Sequence, residues 1–309
     1  MIEYISPTSL TMFESNVEQF YMQYLAEPRR PRFPQTEPMS IGSAFDARVK
    51  CKLLEDLGKP FNVAEMMNDQ VEEHVRDWAI ENSVYVMNEY VKSGSYKALL
   101  KELKNSIIDP RFEFKVKIEV EGVPILGKPD CFYVNEDGAR VIADWKVNGY
   151  CSKRGAGPKK GYVKNWTTGD SHPKAMIMPY HGIPINAAHP MEQIDKIWAT
   201  QLTFYAWSLG EKVGGDFIAQ IEQLACKPSG SSGVSEGINM GVNITVYTYR
   251  SRILSEFQTH LVERIKTMWS ILQSDWIFRD RGKRASQAYC KQLNEQAAME
   301  LEMKDSEDP

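Results

Sequence analysis

Arg140-Val141-Ile142-Ala143-Asp144-Trp145-Lys146-Val147 is the stretch on which the reading of this chain turns. A short apolar run opens it, and an acid, an aromatic and a base follow one another. Read as a β-strand, whose successive side chains emerge on opposite faces, it sets Asp144 and Lys146 side by side and sends Trp145 the other way. An Asp-x-Lys tripeptide alone is common by chance and describes a salt pair on a strand surface. Here it follows Val141-Ile142-Ala143, a core-strand pattern, so the charged pair is carried into an apolar sheet.

Upstream, Phe112-Glu113-Phe114-Lys115-Val116-Lys117-Ile118-Glu119-Val120 alternates apolar and charged residues, which predicts a half-buried strand closed by a turn at Glu121-Gly122. A second strand is expected from Ile125 to Val134, and Asn135-Glu136-Asp137-Gly138 turns the chain into the third, Arg140 to Val147. The three are predicted to form an antiparallel meander. Asp130, in Gly127-Lys128-Pro129-Asp130, lies in the strand adjacent to Asp144, and the short turn can bring the two carboxylates opposite each other.

The first third, 1–105, reads as helical. Ser6 caps a helix with Pro7 in its first turn, and Leu10, Phe13, Val17 and Phe20 continue it to about Leu25. Helical patterns resume over Ile41 to Leu57 and from about Val63 to Leu103, with a break near Gly94. Beyond the meander, a helix is expected from Met191 to Leu209, strands over Phe217 to Cys226 and Val242 to Tyr249, and an amphipathic helix from Ser251 to Trp269. Gly230-Ser231-Ser232-Gly233 marks a flexible connector, and the tail beyond Asp280 is expected to be helical. The fold class is therefore α/β: one domain over 1–309, with a catalytic sheet core over 112–250, a mixed central sheet, and C-terminal helices over 251–309.

The formal net charge of -4 provides no global attraction to nucleic acid, so any such surface has to be a local basic patch. One is available in the long segment between the catalytic strand and the next helix. Lys153, Arg154, Lys159, Lys160, Lys164 and Lys174 are interleaved there with Tyr150, Tyr162 and Trp166, cations for phosphates and rings for unpaired bases. Arg29, Arg30 and Arg32 offer a second contact. His172, His181 and His189 have no zinc-ligand spacing, and the five scattered cysteines form no CxxC pair, so neither structural zinc nor disulfides are expected. No stretch suits a membrane span or a signal peptide, which leads to the expectation of a soluble, cytoplasmic protein with no membrane partner.

Two carboxylates and an ammonium group converging on one point suit phosphodiester hydrolysis. Hard oxygen ligands from Asp130, Asp144 and the Trp145 backbone carbonyl are a sensible partial shell for Mg²⁺ or Mn²⁺. Lys146 is then placed to orient the attacking water or to stabilise developing negative charge, whereas service as a base requires a depressed pKa.

Taken together, these residues resemble the PD-(D/E)xK nucleases, in particular the branch of recombination helicase-nuclease domains and phage exonucleases. The likeness runs from about Ser6 to Trp269. Pro129-Asp130 and Asp144-Trp145-Lys146 match the name-giving motif, and Gln201-Leu202-Thr203-Phe204-Tyr205 matches a Q-x-x-x-Y helix motif that follows it. Ser6-Pro7-Thr8-Ser9-Leu10 resembles the opening helix, and Ile41-Gly42-Ser43-Ala44-Phe45-Asp46 the glycine-led second helix, in the family's order. Asp46 stands where family members commonly carry a metal-binding histidine, and a third carboxylate favours Mg²⁺ over Mn²⁺.

The resemblance implies a restriction-endonuclease-like core, catalytic roles for Asp130, Asp144 and Lys146, and Asp46 as a further metal ligand. It also implies that Gln201 orients Lys146 or a phosphate and that Tyr205 supports the substrate strand. The implied activity is that of a deoxyribonuclease, an exonuclease acting on single strands or duplex ends in recombination, repair or phage replication, in a bacterial cell or encoded by a phage. An endonuclease of a defence system and a non-catalytic DNA-binding protein are the alternatives. A recombination or replication protein is a possible partner, oligomeric state stays open, and Cys290, standing alone near the C-terminus, argues against the iron-sulfur cluster that some of these nucleases carry.

Overall fold

In this computed structural model the described residues are 2–152, 178–180, 183–185, 195–215, 217–228 and 241–274. The elements begin with α1 (Pro7–Ser15), α2 (Val17–Tyr24), α3 (Glu37–Asp56), α4 (Val63–Gln70), α5 (Glu73–Lys92) and α6 (Ser95–Lys104). Strands β1 (Arg111–Phe112), β2 (Val116–Val120), β3 (Val123–Gly127), β4 (Cys131–Val134) and β5 (Arg140–Asn148) follow. The remainder is a small hairpin of β6 (Met178–Tyr180) and β7 (Ile183–Ile185), then α7 (Lys196–Ser208), β8 (Ile218–Pro228), β9 (Val242–Arg252) and α8 (Ser255–Gln273).

The chain divides into two compact units, Met1–Phe33, Lys117–Leu126 and His260–Pro309 forming one, Pro34–Val116 and Gly127–Thr259 the other. In the first, Ser6 and Ser9 cap each other reciprocally and start α1 as the sequence predicts. The expected single helix is broken at Asn16, whose side chain accepts from the Gln19 N–H and restarts the chain as α2. An asparagine that can cap locally competes with helix continuation, which is why the apolar spacing ran on through it. The turn between β2 and β3 puts both Glu121 and Gly122 at positive φ, the geometry of a tight hairpin.

The second unit is built on a mixed sheet of five strands in the order β1-β4-β5-β8-β9, flanked by helices. β4 and β5 are antiparallel, as are β1 with β4 and β8 with β9, whereas β5 and β8 are parallel and α7 lies on the connection between them. The predicted three-strand meander is thus corrected. The first strand breaks after Phe112, where Glu113 adopts a φ of 44°, and the second breaks between Gly127 and Cys131, so β2 and β3 pair off as a separate two-stranded sheet. Alternation hid the first break, because Glu113 and Lys115 keep the period, whereas Gly127 and Pro129 were legible strand breakers at the second.

One face of the sheet packs on α3, α5 and α6. Ile41, Phe45, Val49 and Leu53 of α3 recur at helical spacing and meet Val86 and Tyr90 of α5, with Tyr133, Val141, Ala143 and Trp145 from the sheet. Full burial of such side chains contributes about 1.5–3 kcal/mol each, enough to fix which face of β5 is apolar. The long predicted helix over 63–103 is three helices, the Gly94 break being joined by one at Val71-Glu72. Among the described residues, no helix is long and apolar enough to cross a membrane.

Candidate metal centre

The apolar face of β5 dictates the other one. Trp145 points into the core, 5% exposed, its indole N–H 3.4 Å from the Tyr90 hydroxyl. Asp144 and Lys146 therefore emerge on the opposite face, and Lys146 Nζ lies 2.5 Å from Asp144 Oδ2. The pair is an ion contact without hydrogen-bond alignment, since Asp144 Oδ2 has no aligned donor. Cys131 pairs with Ala143, so Asp130, one residue before β4, comes alongside Asp144. From Asp144 onward that edge of β5 is clear of the β4 ladder, which leaves its backbone, the Trp145 segment included, outside that pairing.

α7 closes the site from the same side. Asp195 caps it, accepting from the N–H groups of Ile197 and Trp198 at 3.0 Å each. Gln201 and Tyr205, four residues apart, share one helix face. Lys146 Nζ donates to Gln201 Oε1 at 3.1 Å, while Gln201 Nε2 donates to Asp144 Oδ1 at 3.3 Å and to the Tyr205 hydroxyl at 2.6 Å. The Trp198 ring centroid is 5.9 Å from Lys146 Nζ, within cation–π reach.

The third contribution comes from α3. Asp46 and Lys50 are one turn apart beside the apolar stripe, and the Lys50 side chain is 1% exposed. Its ammonium donates to Asp46 Oδ2 at 2.5 Å, Asp130 Oδ1 at 3.0 Å and Glu113 Oε2 at 3.1 Å. Glu113 also accepts from Gln70 Nε2 at 2.5 Å and pairs with Lys128. The structure thus brings together Asp46, Asp130, Asp144, Lys146, Gln201 and Tyr205, and adds Lys50, Glu113, Gln70 and Lys128, which sequence reasoning missed. The available signal was the i,i+4 spacing of Asp46 and Lys50. Glu113 read as the solvent side of a strand.

Burial sets the protonation of this cluster, and neighbouring charges decide who keeps a charge. Burial, with Asp130 adding to it, pushes Asp144 well above the carboxylate range despite Lys146. Burial also opposes the charge on Asp130, but Lys50, the hydrogen bond from Asp144 and Lys146 outweigh it and hold Asp130 below its ordinary value. Asp46 rises to about 7, from burial and the neighbouring Asp130. Burial works against Lys50 and Lys146 too, yet the surrounding carboxylates hold both ammonium groups charged, above the ordinary lysine range. A lysine so held suits orientation and charge stabilisation, and does not suit proton abstraction.

The donor chemistry fits a hard cation in part. Asp130 and Asp144 are neighbouring oxygen donors, and Asp46 Oδ1 is buried without a hydrogen-bond partner. Among the described residues, however, no group of three or more His, Cys, Asp or Glu side chains is arranged to hold a metal ion as it stands. What lies between Asp46, Glu113 and Asp130 is the Lys50 ammonium. Beside Glu113 and Gln70 a cleft of about 880 Å³ opens, bordered by Lys59, Lys115 and Lys128 and floored by Phe112.

The expected nucleic-acid contacts Lys153, Arg154, Lys159, Lys160, Lys164, Lys174, Tyr162 and Trp166 lie outside the described residues, as do His172, His181, His189, Cys290, the connector Gly230-Ser231-Ser232-Gly233 and the tail beyond Asp280. Tyr150, expected to stack on bases, is corrected. It is 2% exposed, packed in the core with its hydroxyl donating to Asn82 Oδ1 at 2.9 Å. Arg29, Arg30 and Arg32 are exposed.

No family model matches the chain, and no curated protein matches it. Among solved structures, one described as "Crystal structure of SSO0001" aligns over 84% of this chain and 83% of that chain, at 10% identity and a TM-score of 0.25.

Proposed function

We propose that this chain is a metal-dependent deoxyribonuclease of the PD-(D/E)xK class, acting as an exonuclease on single strands or duplex ends. The observation that carries the reading is Lys146, held between Asp144 and Gln201 with Asp130 alongside on the neighbouring strand segment. The antiparallel β4 and β5 that bring the acids together, and a parallel β8 reached through the Gln201 helix, support a restriction-endonuclease-like core. Asp130, Asp144 and the Trp145 carbonyl would hold Mg²⁺ or Mn²⁺, which would supply Lewis acidity and an activated water.

The chain's own groups do the rest. Lys146 presents a fixed positive charge to the phosphate oxygens as negative charge builds on them. Gln201 fixes where that ammonium sits, and Tyr205 fixes Gln201. The cleft beside Glu113 carries Lys59, Lys115 and Lys128 against Glu65, Asp69 and Glu113, so it has no net charge with which to draw in a polyanion, and the proposal rests on the Asp130, Asp144 and Lys146 cluster instead.

Linear and closed circular duplexes incubated with the protein and Mg²⁺ or Mn²⁺ test the proposal. Shortening of the linear form alone is expected, abolished in Asp144→Asn. Nicking of the circle assigns an endonuclease instead. Equal cleavage by wild type and Asp144→Asn, or none by the wild type with either metal, overturns the reading.

A further inference from the structure

We infer that Lys50 is a built-in cation standing in for a second divalent ion, so that the centre takes one metal ion and not two. The inference rests on the metal-nuclease reading above and deepens it.

The first argument is spatial. A lysine ammonium has three N–H donors and no acceptor, and all three are spent on carboxylates of three different elements, Asp46 on α3, Glu113 after β1 and Asp130 before β4. Divalent magnesium binds carboxylate oxygens at about 2.0–2.1 Å. An ion bridging these same three carboxylates therefore needs the space that Nζ fills. Asp144, and the oxygens of Asp130 and Asp46 that Lys50 does not engage, remain for a single ion.

The second argument is charge. A buried ammonium is costly unless it is fully paired, and at 1% exposure Lys50 is tolerable only because the carboxylates surround it. The same balance limits metal. With every carboxylate ionised, as metal binding requires, Asp46, Glu113, Asp130 and Asp144 carry four negative charges against the two positive charges of Lys50 and Lys146, Lys128 being 43% exposed and screened by solvent. One divalent ion neutralises the remaining two, whereas a second leaves a surplus of two positive charges in the cluster.

The third is anchoring. Glu113 accepts from Lys50 and Gln70 and pairs with Lys128, so its oxygens are committed to holding Lys50 in place. Its φ of 44°, unusual for a residue with a side chain, aims the carboxylate inward at that ammonium.

Titration of the full-length protein with MnCl₂, followed by calorimetry and by electron paramagnetic resonance, tests the inference without DNA or turnover. The wild type is expected to bind one Mn²⁺ per chain and to give the spectrum of an isolated ion. Lys50→Ala is expected to bind two and to give a spin-coupled pair, and if it needs Mn²⁺ in order to fold, that dependence supports the same conclusion. Two coupled ions in the wild type overturn the inference and leave the nuclease reading standing, as does a folded Lys50→Ala that still binds one. Should Lys50→Ala fail to fold with or without Mn²⁺, the wild-type stoichiometry alone decides. No Mn²⁺ uptake by the wild type instead overturns the nuclease reading on which the inference rests.

Discussion

Lys146 and Gln201 meet across 3.1 Å, the ammonium of a strand donating to the amide oxygen of a helix 55 residues further along the chain. The amide's other end reaches Asp144 and Tyr205. Only one orientation of that amide satisfies all three partners, because its oxygen alone can accept from an ammonium and its nitrogen alone can donate to a carboxylate. A single neutral side chain thereby fixes both members of the Asp144–Lys146 ion contact.

Gln201 is accordingly a positioning residue, and Gln201→Ala should lower kcat for DNA cleavage by roughly 10–100-fold, the range for lost outer-shell partners, while KM for DNA stays close to wild type. Tyr205→Phe should show a smaller loss in the same direction, and combining the two should cost less than the product of the single losses, because both act through the same amide. Steady-state kinetics on a linear duplex decide it. Wild-type kcat in Gln201→Ala would show that the amide does not hold the lysine.

These contacts also show which parts of the molecule can be read from sequence. Asp144, Trp145 and Lys146 obey a period of two and Asp130 is one turn from its partner strand, so local geometry predicted that these would meet, whereas the spacing of four put Gln201 and Tyr205 on one helix face and only the resemblance implied that this face meets Lys146. Lys50 was invisible for a physical reason. Its partners Glu113 and Asp130 lie 63 and 80 residues away, and on a helix a lysine normally belongs to a solvated face. The insertion of β8 beside β5 is likewise a long-range event that no local period encodes. The lost strand continuity at Glu113 goes with its φ of 44° and with contacts to Lys50 and Gln70, both far away along the chain.

Gly127 offers a test of how Asp130 is supported. A Cβ built there would overlap the Ser208 side chain and crowd the Phe204 carbonyl, so only glycine permits the backbone to pass this close to α7. Gly127→Ala should destabilise the protein by about 1–3 kcal/mol, as overpacking does, and should lower activity through displacement of the Lys128-Pro129-Asp130 segment. Ser208→Gly by itself costs less than about 1 kcal/mol of helix propensity and loses the bond from the Ser208 hydroxyl to the Phe204 carbonyl. Together the two should be less destabilising than their sum in urea unfolding. Strict additivity would mean that the approach of Gly127 to Ser208 does not determine the packing.

Glu222 carries a pH signature that is separate from the proposed metal centre. It sits on β8 beside Trp145, on the opposite face from Lys146, and is 2% exposed. Gln220 Nε2 and Thr248 Oγ1 donate to it at 2.7 and 2.9 Å. Burial nevertheless outweighs those bonds and the pull of Arg250, raising its pKa from 4.5 to about 7. The raised value fixes the sign. Below pH 4.5 the group is protonated in both folded and unfolded chains and carries no penalty. As pH rises towards 7 the unfolded chain ionises first, so this contribution to stability is progressively lost. Above 7 the loss is complete at roughly 3 kcal/mol, because each tenfold difference in proton affinity between the folded and unfolded chains is worth about 1.4 kcal/mol. Glu222→Gln removes the ionisation while keeping an oxygen that accepts. Urea unfolding at pH 5 and pH 8 should therefore show a smaller fall in stability for the variant than for the wild type, with the difference approaching that figure. All other titrations are common to both proteins and cancel in the comparison, so parallel pH profiles would mean that Glu222 is already ionised in the fold at pH 5.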